Sequence, residues 1–164
     1  MVKKCKQSIL FRVKLMKYVS TKTYGHERGL SCAFRQPNAE SHCKYIHGYA
    51  LSFTFVFGCN ELDNNNWVVD FGSLKTLKNW LEQTFDHKLL IDKNDPQIDQ
   101  FEIFEHSNFC QLVLVDGVGC EKFAEHSFNF ADKFIKKITD NRCWVESVEV
   151  KEHGSNSAIV MRDT

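Results

Sequence analysis

The chain has 164 residues, 21 basic side chains balancing 21 acidic ones, and 13% aromatic residues with fourteen Phe. That length suits one domain over residues 1–164 with a Phe-rich core, residues 1–29 serving as an N-terminal strand and loop region. The charge balance excludes a general nucleic-acid surface or a polybasic membrane patch as the organising feature.

Near the start stand Lys3, Lys4 and Lys6, and the run over 8–18 is interrupted by Arg12, Lys14 and Lys17. It has neither the uncharged core of a signal peptide nor the length of a membrane span. Cysteines fall at Cys5, Cys32, Cys43, Cys59, Cys110, Cys120 and Cys143, with no CxxC pair. They read as reduced thiols in a cytoplasmic protein.

Phe11, Val13 and Leu15 alternate with Arg12 and Lys14, the pattern of a half-exposed strand. The polar, glycine-bearing run over 21–29 reads as a loop, Leu30–Phe34 as a strand, and 36–41, with Pro37, as an irregular connection. A long strand follows over 47–59. Its odd positions are His47, Tyr49, Leu51, Phe53, Phe55 and Phe57, and its even ones are Gly48, Ala50, Ser52, Thr54 and Val56. One face is therefore bulky and apolar, the other small, turned toward solvent or a partner subunit. The Asn- and Asp-rich stretch 60–66 predicts a turn, with Trp67, Val68 and Val69 returning as a hairpin partner.

Leu74, Leu77, Leu81 and Phe85 recur at helical spacing after the caps Asp70 or Ser73, and that helix ends near Asp86 and His87. Asp95-Pro96 opens a weaker helix with Ile98, Phe101 and Phe104 inward. Residues 111–115 form a short apolar strand. A long helix then runs from Gly117 to about Asp140 on a stripe of Phe123, Phe130, Phe134 and Ile138 with Ser127 between them, and a last strand spans 144–152. The order predicts an α+β fold, an antiparallel sheet with its helices on one face.

Three places carry chemistry. Cys43 precedes His47 by four residues at the mouth of the long strand, where His47 and Tyr49 share a face. Asp86 beside His87 is a pair in which a carboxylate can orient a proton-shuttling imidazole, or a helix-end histidine meeting the dipole. Glu152 shares its strand face with Val148 and Val150. A carboxylate aimed that way needs a partner, such as a ligand with two adjacent N–H donors or a neighbouring Lys or Arg.

Read together, these residues resemble the 6-pyruvoyl- and 6-carboxy-tetrahydropterin synthase family, which has the tunnelling fold. The matching segments are CKYIHGY at 43–49, WVVDFGSLK at 67–75, FDH at 85–87, VGCEK at 118–122 and VKEH at 150–153. The three-residue gap between Cys43 and His47 is more like the carboxy branch of the queuosine pathway. The resemblance implies a homohexamer of two stacked trimers, an oligomeric barrel with sites at subunit contacts, and 7,8-dihydroneopterin triphosphate as the pterin substrate. By position, Cys43 becomes the proton-abstracting thiolate, Asp86 and His87 the proton relay, Glu152 the anchor of the amino-pyrimidine edge, and Glu121 a further substrate contact. The runner-up is a tunnelling-fold protein that binds a pterin or purine without the lyase reaction. The resemblance also implies zinc on three histidines. Here those positions hold Phe34, His47 and Tyr49. Either His42, His26 or Tyr49 completes a substituted site around His47, or no metal binds.

Overall fold

A computed structural model describes residues 16–163; the strand predicted around Phe11, Val13 and Leu15 and the thiol of Cys5 lie outside them. The organising element is the long strand β3 (His47–Cys59), against which three others pair antiparallel. These are β1 (Tyr18–Tyr24), β2 (Leu30–Phe34) and β6 (Cys143–His153). A seven-stranded sheet is completed by β7 (Asn156–Met161) on β6 and by β4 (Lys88–Asp92) and β5 (Leu112–Val115), which extend β2 in parallel. Helices α1 (Lys75–Phe85) and α3 (Cys120–Ile138) pack on one side, as the α+β reading expects, and the short α2 (Ile98–His106) lies between β4 and β5 in the chain.

The odd face of β3 is the core. Leu51, Phe53, Phe55 and Phe57 are fully buried, and the aromatic contacts Phe53–Phe85 (4.7 Å), Phe85–Phe123 (5.4 Å) and Phe123–Phe34 (5.1 Å) tie sheet to helices. The even face stays half-open from Gly48 to Val56 except at Ser52. Gly48 is required by closeness: a Cβ there would stand 2.2 Å from the Cys32 carbonyl oxygen of the neighbouring strand.

Several expectations change. Residues 18–24, read partly as loop, form β1, whose half-buried face carries Ser20 and Lys22 and so lacks an apolar signature. Trp67, Val68 and Val69 do not return along β3. The Asp63 carboxylate accepts from the backbone N–H groups of Asn65 and Trp67, both at 2.8 Å, while the Val68 carbonyl accepts from Arg142 (2.9 Å) and the Cys143 thiol (2.7 Å). These side chains take the groups a hairpin would have used. Phe104 and Ile138 point outward; the buried stripe of α3 is Cys120, Phe123, Ala124, Ser127, Ala131 and Ile135. Strand β4, whose three central residues are buried, follows α1 so closely that periodicity could not separate it.

The connection leaving β2 is pinned by a buried ion pair. Arg35 donates to both oxygens of Asp95, at 2.8 and 2.6 Å, and the Gln97 N–H adds a third bond at 2.8 Å. Burial pushes the Asp95 carboxyl up, but the Arg35 and Gln97 bonds outweigh it and leave the carboxyl below its ordinary range. A carboxyl so held favours the folded state above about pH 4 and loses that contribution as the pH falls below it. Arg35→Ala, which strands a buried charge, is expected to lower stability by about 3–5 kcal/mol in urea unfolding at pH 7. Asp95→Asn is expected to flatten the acid limb of stability against pH; an unchanged acid limb contradicts this assignment.

Candidate functional site

Cys43 sits in a short 3-10 turn, His42–Lys44, between β2 and β3. Gln36 fixes it from two sides: its backbone N–H donates to the Cys43 carbonyl (2.8 Å), and its side-chain amide donates to the Val118 carbonyl (2.8 Å) just before α3. The thiol-bearing turn is thereby held to the start of α3. Nothing in the sequence pattern marks Gln36 for this task.

At the start of β3 four rings pack together. Phe34 lies 4.8 Å from His47 and 6.3 Å from Tyr49, His47 meets Tyr49 edge-on at 5.9 Å, and Tyr49 meets His153 at 6.0 Å, all between centroids. The His47 Nδ1 lies 2.8 Å from the Tyr45 carbonyl oxygen. A carbonyl only accepts, so Nδ1 carries the proton and Nε2 is left as the acceptor of the neutral ring. His26 is engaged likewise, its Nδ1 2.6 Å from the Ala50 carbonyl oxygen.

Burial, then the neighbourhood of Glu152, Cys43 and Cys120, holds the Tyr49 phenol above its ordinary range. Tyr49 packs against the ring of His153, the residue that follows Glu152. Glu152 and Glu121 line a polar cleft of about 360 Å³ with Cys120, Ser155, Asn156 and Ser157. The Cys120 thiol is pushed up to about 12 by burial and then by Glu152 and Glu121. Cys32 is likewise pushed up to about 12 by burial and by Cys120. Cys120 and the turn from β6 to β7 are contributions that the sequence reading missed or understated.

Asp86 and His87 lie elsewhere. The His87 Nδ1 donates to Asp86 Oδ1 at 2.6 Å, leaving Nε2 outward on a side chain 83% exposed. Its backbone φ of 55° is left-handed, a conformation uncommon outside glycine and tolerated best by Asn, Asp and His. His87 lines an open cleft of about 610 Å³ over the small face of the sheet, with Ser31, Ala33, Gly48, Ala50 and Phe109 among its walls. Thus His87 borders one cleft of the chain, and Glu152 and Glu121 another.

A sequence model of the family described as 6-pyruvoyl tetrahydropterin synthase matches residues 25–163. The chain belongs to this family. It is 28% identical over 114 residues to a 6-carboxy-5,6,7,8-tetrahydropterin synthase of Rickettsia bellii, covering 69% of this chain and 80% of that protein. An uncharacterized protein of Wolinella succinogenes superposes with a TM-score of 0.76 at 19% identity, over 90% of this chain and 99% of that one. The 6-pyruvoyl tetrahydropterin synthase of Plasmodium vivax superposes at 0.61 and 14% identity, with the same coverage. These superpositions establish the fold, the tunnelling fold of the family.

Zinc on the family's three histidine positions does not fit the donors present. Phe34 offers no lone pair, Tyr49 is a phenol that burial holds above its ordinary range, and His47 has one ring nitrogen to give. His42 and His26 do not rescue the set: among the described residues no group of three or more His, Cys, Asp or Glu is arranged to hold a metal ion. Likewise among the described residues, no helix is long and apolar enough to cross a membrane.

The thiol environments predict an order of reactivity. With iodoacetamide at pH 7.5 and peptide mass mapping, half-buried Cys43 is expected to be labelled well before the buried Cys32, Cys59, Cys120 and Cys143. Labelling of Cys120 or Cys32 at the rate of Cys43 contradicts the geometry.

Proposed function

We propose that the chain is a pterin-synthase-like lyase of the 6-carboxy-tetrahydropterin type, acting on 7,8-dihydroneopterin triphosphate or a closely related pterin or purine. The observation that carries this reading is the polar cleft lined by Cys120, Glu121 and Glu152, beside the His153 ring that Tyr49 packs against, in a family whose curated relatives are named as tetrahydropterin synthases.

In this reading Glu152 accepts two hydrogen bonds from the amino-pyrimidine edge of the ligand, as a carboxylate does for paired N–H donors. Glu121, across the same cleft, is a second polar contact. Cys43 as thiolate removes a proton from the side-chain carbon, with loss of triphosphate and rearrangement of the side chain. His87, with Nδ1–H fixed by Asp86, carries a proton on Nε2. His87 and Glu152 border different clefts of one chain, so the reading requires a second copy to bring His87 to the cleft, in an assembly of the hexameric kind. A second reading, a tunnelling-fold protein that binds the ring without turnover, is favoured by one observation: Phe34 and Tyr49 stand at two of the three family zinc positions.

Triphosphate release and product mass, followed with purified untagged protein and 7,8-dihydroneopterin triphosphate, separate the two. The enzyme reading predicts release by the wild type, a loss of about 10²-fold or more for Cys43→Ser and for His87→Ala with ligand affinity retained, and partial recovery when the two inactive variants are mixed and allowed to exchange subunits. Ligand binding without release assigns the chain to the binding reading. Release unaffected by either substitution contradicts the residue roles.

A further inference from the structure

The four rings at the start of β3 do more than exclude a metal. Phe34 cannot swing aside, because its ring is packed at 5.1 Å against Phe123 in the core and is itself buried. His47 is locked as the Nδ1–H tautomer by the Tyr45 carbonyl, so Nε2 is a hydrogen-bond acceptor of fixed direction. The rings of His47 and Tyr49 stand on one strand face, 5.9 Å apart at their centroids. Both are half-buried, and among the described residues nothing bonds the Tyr49 hydroxyl, which is not sealed from solvent. His153, the fourth ring, is already engaged: its Nδ1 accepts from the Ser155 N–H (3.2 Å) and its Nε2 lies 3.3 Å from the Asn156 amide. That leaves one acceptor and one donor, side by side.

We propose that His47 and Tyr49 form a metal-free acceptor–donor pair that holds two neighbouring oxygens of a ligand's hydroxylated side chain. This deepens, and rests on, the assignment of the ring to the Glu152 cleft. His47 Nε2 accepts from one hydroxyl, and the Tyr49 hydroxyl donates to the adjacent hydroxyl or carbonyl oxygen. The two rings stand 5.9 Å apart at their centroids on one strand face, so one small ligand can meet both. The pair selects ligands that carry a polyol or ketone side chain over the bare ring, and Tyr49 is the residue that sets this preference. A bare ring forgoes both bonds and leaves the Tyr49 hydroxyl to water.

Two measurements on the untagged full chain test it. The first is calorimetric titration with zinc chloride in a thiol-free reductant. The wild type and His47→Ala are expected to give the same trace, while Phe34→His combined with Tyr49→His gains one zinc per chain that is lost when His47→Ala is added. Zinc binding by the wild type that disappears in His47→Ala overturns the proposal, and that comparison does not depend on the folding of the double variant. The second is equilibrium binding of 7,8-dihydroneopterin against 7,8-dihydropterin, which lacks the side chain. Tyr49→Phe is expected to weaken dihydroneopterin three- to tenfold and leave dihydropterin unchanged. Equal effects on both ligands, or on neither, overturn it. Should the wild type bind neither ring, the pterin assignment and the ligand half of this proposal fall together, while the zinc comparison still decides the metal-free half.

Discussion

Everything in this molecule depends on the register of β3. Thirteen residues long, it pairs with β1, β2 and β6, and its period of two sends Leu51, Phe53, Phe55 and Phe57 into the core. The same alternation carries His47 and Tyr49 onto the first two rungs of that face. A slip of one residue would turn both rings to the small face and put Gly48 and Ala50 in their place. The strength with which the Phe residues fix the register is therefore also what fixes the site. The core does this through contacts that reach the site itself, since Phe34 touches His47 on one side and Phe123 on the other.

A second constraint is the connection from β2 to β3. Arg35 anchors its start to Asp95, and Gln36 binds both the Cys43 turn and the approach to α3. Without these bonds Cys43 would ride on a polar loop. With them its turn is tied to the approach to α3, which Cys120 begins. The family's fold is thus preserved around an end of β3 that carries a packed set of rings. Protein scaffolds commonly change chemistry in this way, by altering side chains at a site while the register beneath them stays fixed.

Much of this was legible in the sequence, for identifiable reasons. The Phe alternation of β3, the Leu and Phe spacing of α1 and the order of Cys43, Asp86, His87 and Glu152 each carry a strong periodic or chemical signal. The fold class and the family follow from them. What was not legible depends on partners remote in sequence. Trp67 to Val69 have strand composition, yet Arg142 and Cys143 take the Val68 carbonyl some 75 residues away. Strand β1 hides behind Ser20 and Lys22, and β7 behind the polar stretch over 153–157 in which it begins. Gln36 is an ordinary polar residue until Val118 is beside it. The separation of His87 from Glu152 is a fact of three-dimensional placement that no spacing encodes.

The central claim is that a pterin-like ring lies against Glu152 with its side chain toward His47 and Tyr49. A crystal structure of the assembled protein soaked with 7,8-dihydroneopterin tests it most directly. The account predicts both Glu152 oxygens within hydrogen-bond distance of the ring's N–H groups, side-chain oxygens at His47 Nε2 and the Tyr49 hydroxyl, and no metal between them. A ring bound away from Glu152, or a metal ion on His47 holding the side chain, would contradict it.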